Sequence, residues 1–448
     1  MRMNPATARE HLKQILDAAI AAVHPRNLMR NALSLHGDRL QAGEEVISIS
    51  DFSRIYVAGA GKATGEMAIE AETVLGELIH DGVVAVKDFP PSTLKYIRPI
   101  VAGHPVPDAN SVVAAKEIRT LVEKLTTNDL LIFLLSGGAS SLVTDIPAFT
   151  NLADMNAFYK KLINSGASIH EVNTVRKHLS QIKGGNLARL CKGTLITLII
   201  SDVPDDDLSV IGSGPTVADN SSFAVALIIL DKYNLRSSAP QPVIDHLTKG
   251  VNNMIPANPG PGDKAFKRTR NMIIGNLHKA IQAAGDKAAA LGYEVHQQQE
   301  LVTGHTEEEA ATFVNRLDAI KSSGNVCLIA GGETSLHVQG QGKGGRSQHF
   351  ALAALSRLKN NEQVFILSAA TDGSDGPTDA AGGFADPLTW QEAISRDLDC
   401  TTYLNNNDAY HFLQSTGSLL KTGATGTNVM DIIVGLKIMR GFGSDNSS

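Results

Sequence analysis

Lys62, Asp202 and Arg346 are the side chains in this 448-residue chain whose surroundings suit chemistry on a phosphate. Lys62 lies in Gly59-Ala60-Gly61-Lys62-Ala63-Thr64-Gly65, directly after 54–58, which reads as a strand. There it either reaches a phosphate or is an ordinary solvated lysine. The turn's GxGxxxG spacing departs from the dinucleotide fingerprint, no acidic ribose partner is well placed about 20 residues on, and the Walker A spacing is absent. Arg346 follows a loop in which six of the fifteen residues 331–345 are glycine. Gly331, Gly332 and Glu333 open that loop and Lys343 stands near its end. Strand 326–330, glycine loop, two cations and a helix beginning near Ser347, which is placed to cap it, form an order that suits an anion. A solvated glycine-rich hairpin is the alternative. Asp202 ends the apolar strand 195–200, where a carboxylate can hold Mg²⁺ or orient a hydroxyl. Asp205, Asp206 and Asp207 read as a solvated, helix-capping run.

Three further groups bear on the same chemistry. Ser136-Gly137-Gly138-Ala139-Ser140-Ser141 follows the apolar run 130–135 and can form a nest of N–H and hydroxyl donors, or simply a tight turn. With no GxSxG elbow, it does not suggest a serine hydrolase. Asp372 and Asp375 lack EF-hand spacing, yet could supply metal carboxylates or turn-forming side chains, whereas Asp379 reads as structural. Asn173, Arg176, Lys177, His178 and Lys183 make a basic helical stretch that by itself reads as a solvated face, and His104, between Gly and Pro, reads as structural.

The elements that must position these residues follow from hydrophobic patterning. Strand patterns at 54–58, 83–86, 99–102, 130–135, 195–200, 271–275, 293–296, 326–330, 364–368 and 431–437 alternate with helical patterns. Their strands are apolar throughout, which argues for mostly parallel sheets covered by helices on both faces. The polar loops then share the C-terminal edge, where such sheets bind ligands. The first helix, with Leu12, Ile15, Leu16, Ala19, Ile20 and Val23 on one face, packs on the body rather than acting as a signal, because Asp17 interrupts it.

Length implies more than one core. The Pro/Gly stretch at 251–265 reads as a linker between an N-terminal α/β domain, 1–250, and a C-terminal one, 266–448, with the first helix free to pack on either. A net charge of −6 offers no basic face for nucleic acid. No run approaches the ~20 apolar residues of a membrane span. Three scattered cysteines, Cys191, Cys327 and Cys400, form no CxxC pair and point to a reducing, cytoplasmic setting. The sum is the equipment of phosphoryl transfer, in which positioning and neutralisation do most of the work.

The same blocks resemble the class II glycerate 2-kinases, whose C-terminal half is the MOFRL domain. They are Gly59-Ala60-Gly61-Lys62-Ala63, Gly103-His104-Pro105-Val106-Pro107-Asp108, Ser136 to Ser141, Ser201-Asp202-Val203-Pro204, Gly212-Ser213-Gly214-Pro215-Thr216, Gly331-Gly332-Glu333-Thr334, Thr371-Asp372-Gly373-Ser374-Asp375-Gly376 and Thr425-Gly426-Thr427-Asn428. The resemblance spans about residues 10–440 in unbroken order. It implies two Rossmann-like three-layer α/β/α domains with the active site in the cleft between them. It also implies ATP- and Mg²⁺-dependent transfer of the γ-phosphoryl group to the 2-hydroxyl of D-glycerate, giving 2-phosphoglycerate. The family's catalytic lysine falls on Lys62, its strand-end aspartate on Asp202 and its arginine on Arg346. A cation near Arg176 and the 136–141 loop would hold an anionic end. The expected partners are small molecules, with neither nucleic acid nor membrane, and a homodimer is compatible. The competing class is an NAD(P)-dependent reductase of hydroxypyruvate or tartronate semialdehyde, using the 59–65 turn.

Overall fold

The computed structural model describes residues 4–148, 150–358 and 361–439. It contains two compact units: Pro25–Gly275, which carries Lys62, and the chain up to His24 together with that from Asn276 onward, which carries Arg346. The linker expected at 251–265 lies instead inside the Lys62 unit. There Asn258 Nδ2 donates to Asp219 Oδ2 (2.8 Å), and Asp219 N donates to Pro259 O (3.0 Å). The chain leaves that unit only after Thr269–Gly275, because this strand pairs in parallel with Thr194–Ile200 and completes its sheet.

The sheet of the Lys62 unit has six strands, all parallel. In chain order they are Arg54–Ala60, Ile79–Val86, Arg98–Val101, Asp129–Ser136, Thr194–Ile200 and Thr269–Gly275. Their spatial order is third, second, first, fourth, fifth, sixth. The order reverses between Arg54–Ala60 and Asp129–Ser136, and a doubly wound sheet opens its ligand crevice at such a reversal, outside the carboxyl ends of the strands. All eight residues of Asp129–Ser136 are buried, as a strand covered on both faces requires. Residues 33–48 form an antiparallel meander of Leu33–His36, Arg39–Ala42 and Glu45–Ser48.

The Arg346 unit departs from the mostly parallel expectation. Its sheet runs Glu294–Gln297, Val326–Gly332, Asp431–Lys437, Val364–Ala370, Gly382–Ala385 and Leu419–Leu420 in spatial order. The first pairing is parallel and the other four are antiparallel. The last long strand, Asp431–Lys437, is inserted antiparallel between two strands that run the same way, so it starts at the edge where they end. Asp431 consequently stands opposite both Gly332 and Ala370.

Helix Pro5–Ala22, capped by the Asn4 side chain, buries Ala8, Leu12, Ile15, Leu16 and Ala19 against helix Leu277–Ala290 of the Arg346 unit. Arg9 anchors it by donating to Asp386 Oδ1 (2.8 Å), and Thr427 Oγ1 donates to Val23 O at its end (2.7 Å). Among the described residues no helix is long and apolar enough to cross a membrane.

Candidate active site

In the Lys62 unit the site is built on two adjacent glycines. Strand Asp129–Ser136 delivers Gly137 and Gly138 to the point where the strand order reverses. Lys62 N donates to Gly137 O (2.9 Å), and Ala63 N donates to Ser136 Oγ (3.1 Å), which welds the two strand-end turns together. The weld needs a close approach: a Cβ on Gly61, whose φ is +144°, would lie 2.0 Å from Ser136 Oγ. Gly138 adopts φ +85°, and a Cβ there would meet the His104 ring at 2.9 Å and Lys62 Cγ at 3.1 Å. A Cβ on Gly137 would lie 1.8 Å from Asp202 Oδ2. Lys62, His104 and Asp202 thus crowd two residues that present almost no side-chain bulk. A ligand can approach the backbone of this patch closely while a cation, an imidazole and a carboxylate meet it from the sides.

Lys62 is exposed, whereas His104 and Asp202 are partly buried. Burial, reinforced by the positive charges of Lys62 and Lys87, holds the His104 imidazole down at about 4, so it is neutral at physiological pH. His104 is the residue whose placement the sequence reading missed. The visible signal was its position at the end of the Arg98–Val101 strand, on the ligand edge of the sheet.

The hydroxyls of the 136–141 loop are mostly engaged. Ser136 Oγ serves Ala63, Ser141 Oγ donates to Gly138 O (3.0 Å), and Ser140 Oγ pairs with Ser213 Oγ (2.8 Å). The loop therefore acts more through shape and backbone than as a hydroxyl nest. Ser140 and Ser141 also line a cavity of about 490 Å³ into which Arg176 and Lys183 project.

The Arg346 unit gathers a second constellation. Arg346 Nε donates to Asp431 Oδ2 (2.6 Å) and Nη2 to Asp431 Oδ1 (3.3 Å), while Nη1 is bonded to Glu333. Two carboxylates thus fix the guanidinium plane, and its other N–H groups remain to be offered. Burial of Asp431, with the charges of Glu333 and Asp372 nearby, pushes its carboxyl upward against the pull of Arg346. Asp431 was not singled out in the sequence, because an acidic residue opening an apolar strand carries no sign of its partner.

Helix Arg346–Arg357 begins one residue earlier than expected, at Arg346, and Ser347 is not its cap. The role falls to Asp375, whose Oδ1 accepts from Ser347 N (3.1 Å) and Oδ2 from Gln348 N (2.8 Å). The helix N-terminus expected to greet a phosphate is filled by an internal carboxylate. Asp375 is buried and spent on this cap, which argues against the metal role. Burial pushes its carboxyl up to about 6, opposed by the Gln348 N–H and reinforced by Asp431. Lys343 turns to the Tyr410 ring, with Nζ 4.5 Å from its centroid. Gly331 and Gly332 lie at the end of strand Val326–Gly332, and Asp372 Oδ1 accepts from Ser374 N (2.9 Å) as a turn former. Among the described residues no three His, Cys, Asp or Glu side chains converge to hold a metal by themselves.

Comparison with known proteins places these features in context. Residues 11–248 match the family described as a domain of unknown function (DUF4147), and residues 326–431 match the MOFRL family. A protein named D-glycerate 2-kinase from Thermotoga maritima is 36% identical, covering 97% of this chain and 99% of its own. One named glycerate 2-kinase from Pyrococcus horikoshii is 35% identical, over 96% of this chain and 97% of its own. The crystal structure of glycerate kinase from Thermotoga maritima superposes with a TM-score of 0.85 at 34% identity, covering 97% of this chain and all of that one.

Proposed function

This chain belongs to the MOFRL-domain glycerate kinase family, and from that premise we propose that it transfers the γ-phosphoryl group of ATP to the 2-hydroxyl of D-glycerate. The observation that carries the reading is the meeting of Lys62, His104 and Asp202 on Gly137 and Gly138 at the strand-order reversal. A phosphoryl group in flight needs cations around its equatorial oxygens and little covalent help. Lys62 meets that need from a turn held by the bonds from Lys62 N to Gly137 O and from Ala63 N to Ser136 Oγ. His104, kept neutral, adds a hydrogen-bonding ring without another charge. Asp202 orients the attacking hydroxyl.

Arg346 supplies the second cation, held in plane by Asp431 and Glu333 so that little ordering remains to be done when phosphate charge develops. We assign Lys62 and Arg346 to one reaction, with Gly137, Gly138 and the 136–141 backbone cradling phosphate. Mg²⁺ is commonly held by one or two carboxylates together with substrate phosphates. That fits a site in which Asp202 is the strand-end carboxylate beside the glycine patch and no three-carboxylate cage exists among the described residues. Asp202 would help hold such an ion, whose chemistry would be to neutralise phosphate charge.

The test is direct. The protein is incubated with ATP, Mg²⁺ and D-glycerate while ADP release is followed, and separately with hydroxypyruvate and NADH. ADP release that depends on glycerate supports the kinase. NADH oxidation without phosphoryl transfer would replace it with the reductase.

A further inference from the structure

The cavity beside the 136–141 loop lies wholly within the Lys62 unit and has a chemistry of its own. Arg176 projects into it, stacked on Tyr159 with its guanidinium carbon 5.4 Å from the ring centroid. Among the described residues no carboxylate lies within ion-pair distance of Arg176. Lys183 is buried and donates to Val143 O (2.6 Å). Its nearest carboxylate, Asp145, is 3.9 Å away and already accepts from Ser180 Oγ (2.6 Å) and from Gln181 N. Two desolvated cations therefore share one preoccupied counter-charge, an arrangement that costs free energy until an anion arrives.

A second observation points the same way. Asn156 lines the cavity, and its side-chain oxygen is buried with no hydrogen-bond partner, although its Nδ2 donates to Pro107 O (2.9 Å). An orphaned acceptor beside uncompensated cations asks for a ligand that brings both an anion and an N–H or O–H donor. The volume of about 490 Å³ falls within the range that encloses small-molecule ligands.

We propose that this cavity is a recognition site for an anionic ligand bearing a hydrogen-bond donor, with Arg176 and Lys183 meeting the anion and Asn156 Oδ1 accepting from the donor. The proposal rests on the kinase reading for its two sources. The hydroxy acid offers a carboxylate and hydroxyls, and the nucleotide offers phosphates with an amine or ribose hydroxyls. Ser140 and Ser141 border both the cavity and the glycine patch, so either source would be held beside Lys62.

Calorimetric titration of D-glycerate and of ADP, each into wild type, Arg176→Met and Ala157→Trp, decides the matter. Arg176→Met removes the charge. Ala157→Trp fills the cavity from an exposed helical position and leaves every charge in place, which covers the case in which the first variant fails to fold. Loss of a charge-assisted contact should weaken one of the two ligands at least about tenfold in both variants. The weakened ligand names the source. If folded variants bind both ligands within about twofold of wild type, the cavity is not a recognition site. Glycerate phosphorylation by the wild type is scored separately, so the kinase reading can stand while this proposal falls.

Discussion

A single methyl group at residue 137 should uncouple chemistry from folding. The Cβ of Gly137→Ala would lie 1.8 Å from Asp202 Oδ2 and 2.3 Å from Asp202 Cγ, both far inside contact distance. Only the carboxylate can yield, because the glycine sits on a loop fixed by the Lys62 N–H (2.9 Å). Restoring an ordinary contact moves Asp202 by more than ~1 Å, and a displacement of that size in a positioned group costs on the order of 10²-fold in rate. The backbone of Gly137 is not left-handed, so alanine brings no conformational strain. Its restriction of the unfolded chain returns roughly 0.4–1 kcal/mol to offset the contact. The expected result is kcat lowered about 10²-fold with the melting temperature nearly unchanged, approaching the rate of Asp202→Asn. The assay is steady-state ADP release beside thermal unfolding of the same preparations. A Gly137→Ala enzyme that keeps kcat within about fivefold would refute the argument that Asp202 works from its present place.

The other predictions concern the Arg346 unit. Arg346→Ala should lower kcat by about 10³ to 10⁵, as loss of a transition-state arginine does in related chemistry; a loss below about tenfold would remove Arg346 from the reaction. The same change strands Asp431, which is buried. The double variant Arg346→Ala/Asp431→Asn should therefore melt higher than the single one while remaining as inactive, as differential scanning calorimetry would show. Asp375 has a folded pKa of about 6, above the unfolded value, so its protonated form favours the native state. The stability it contributes is full below about pH 4 and is lost as pH rises to about 6, on the order of 3 kcal/mol at most. Asp375→Asn should flatten that part of the melting temperature against pH, and an unchanged slope would count against a titrating Asp375.

The parallel sheet was legible because strands buried on both faces must be apolar throughout, as in Leu130-Leu131-Ile132-Phe133-Leu134-Leu135. Once parallel, their following loops share one edge, which brought Lys62, Gly137, Gly138 and Asp202 into a single reading. Direction was not legible. Ile432-Ile433-Val434-Gly435-Leu436 would suit a strand running either way, so the antiparallel insertion that sets Asp431 against Arg346 left no mark. His104 escaped for a related reason: its approach to Gly138 depends on the spatial order of the strands, which patterning along the chain does not encode. The capping role of Asp375 was hidden by its company, since Asp372-Gly373-Ser374-Asp375-Gly376 reads equally as metal ligand or turn. The Pro/Gly stretch at 251–265 misled because it marks a loop, and the strand that follows it still belongs to the first sheet.

The measurement that bears most directly on the account is phosphorus and proton NMR of the product formed from ATP, Mg²⁺ and D-glycerate, by wild type and by Lys62→Ala. The wild type should give 2-phosphoglycerate, and the variant a rate lower by about 10³ or more. Phosphate on the 3-hydroxyl, or a variant as fast as the wild type, would contradict the account.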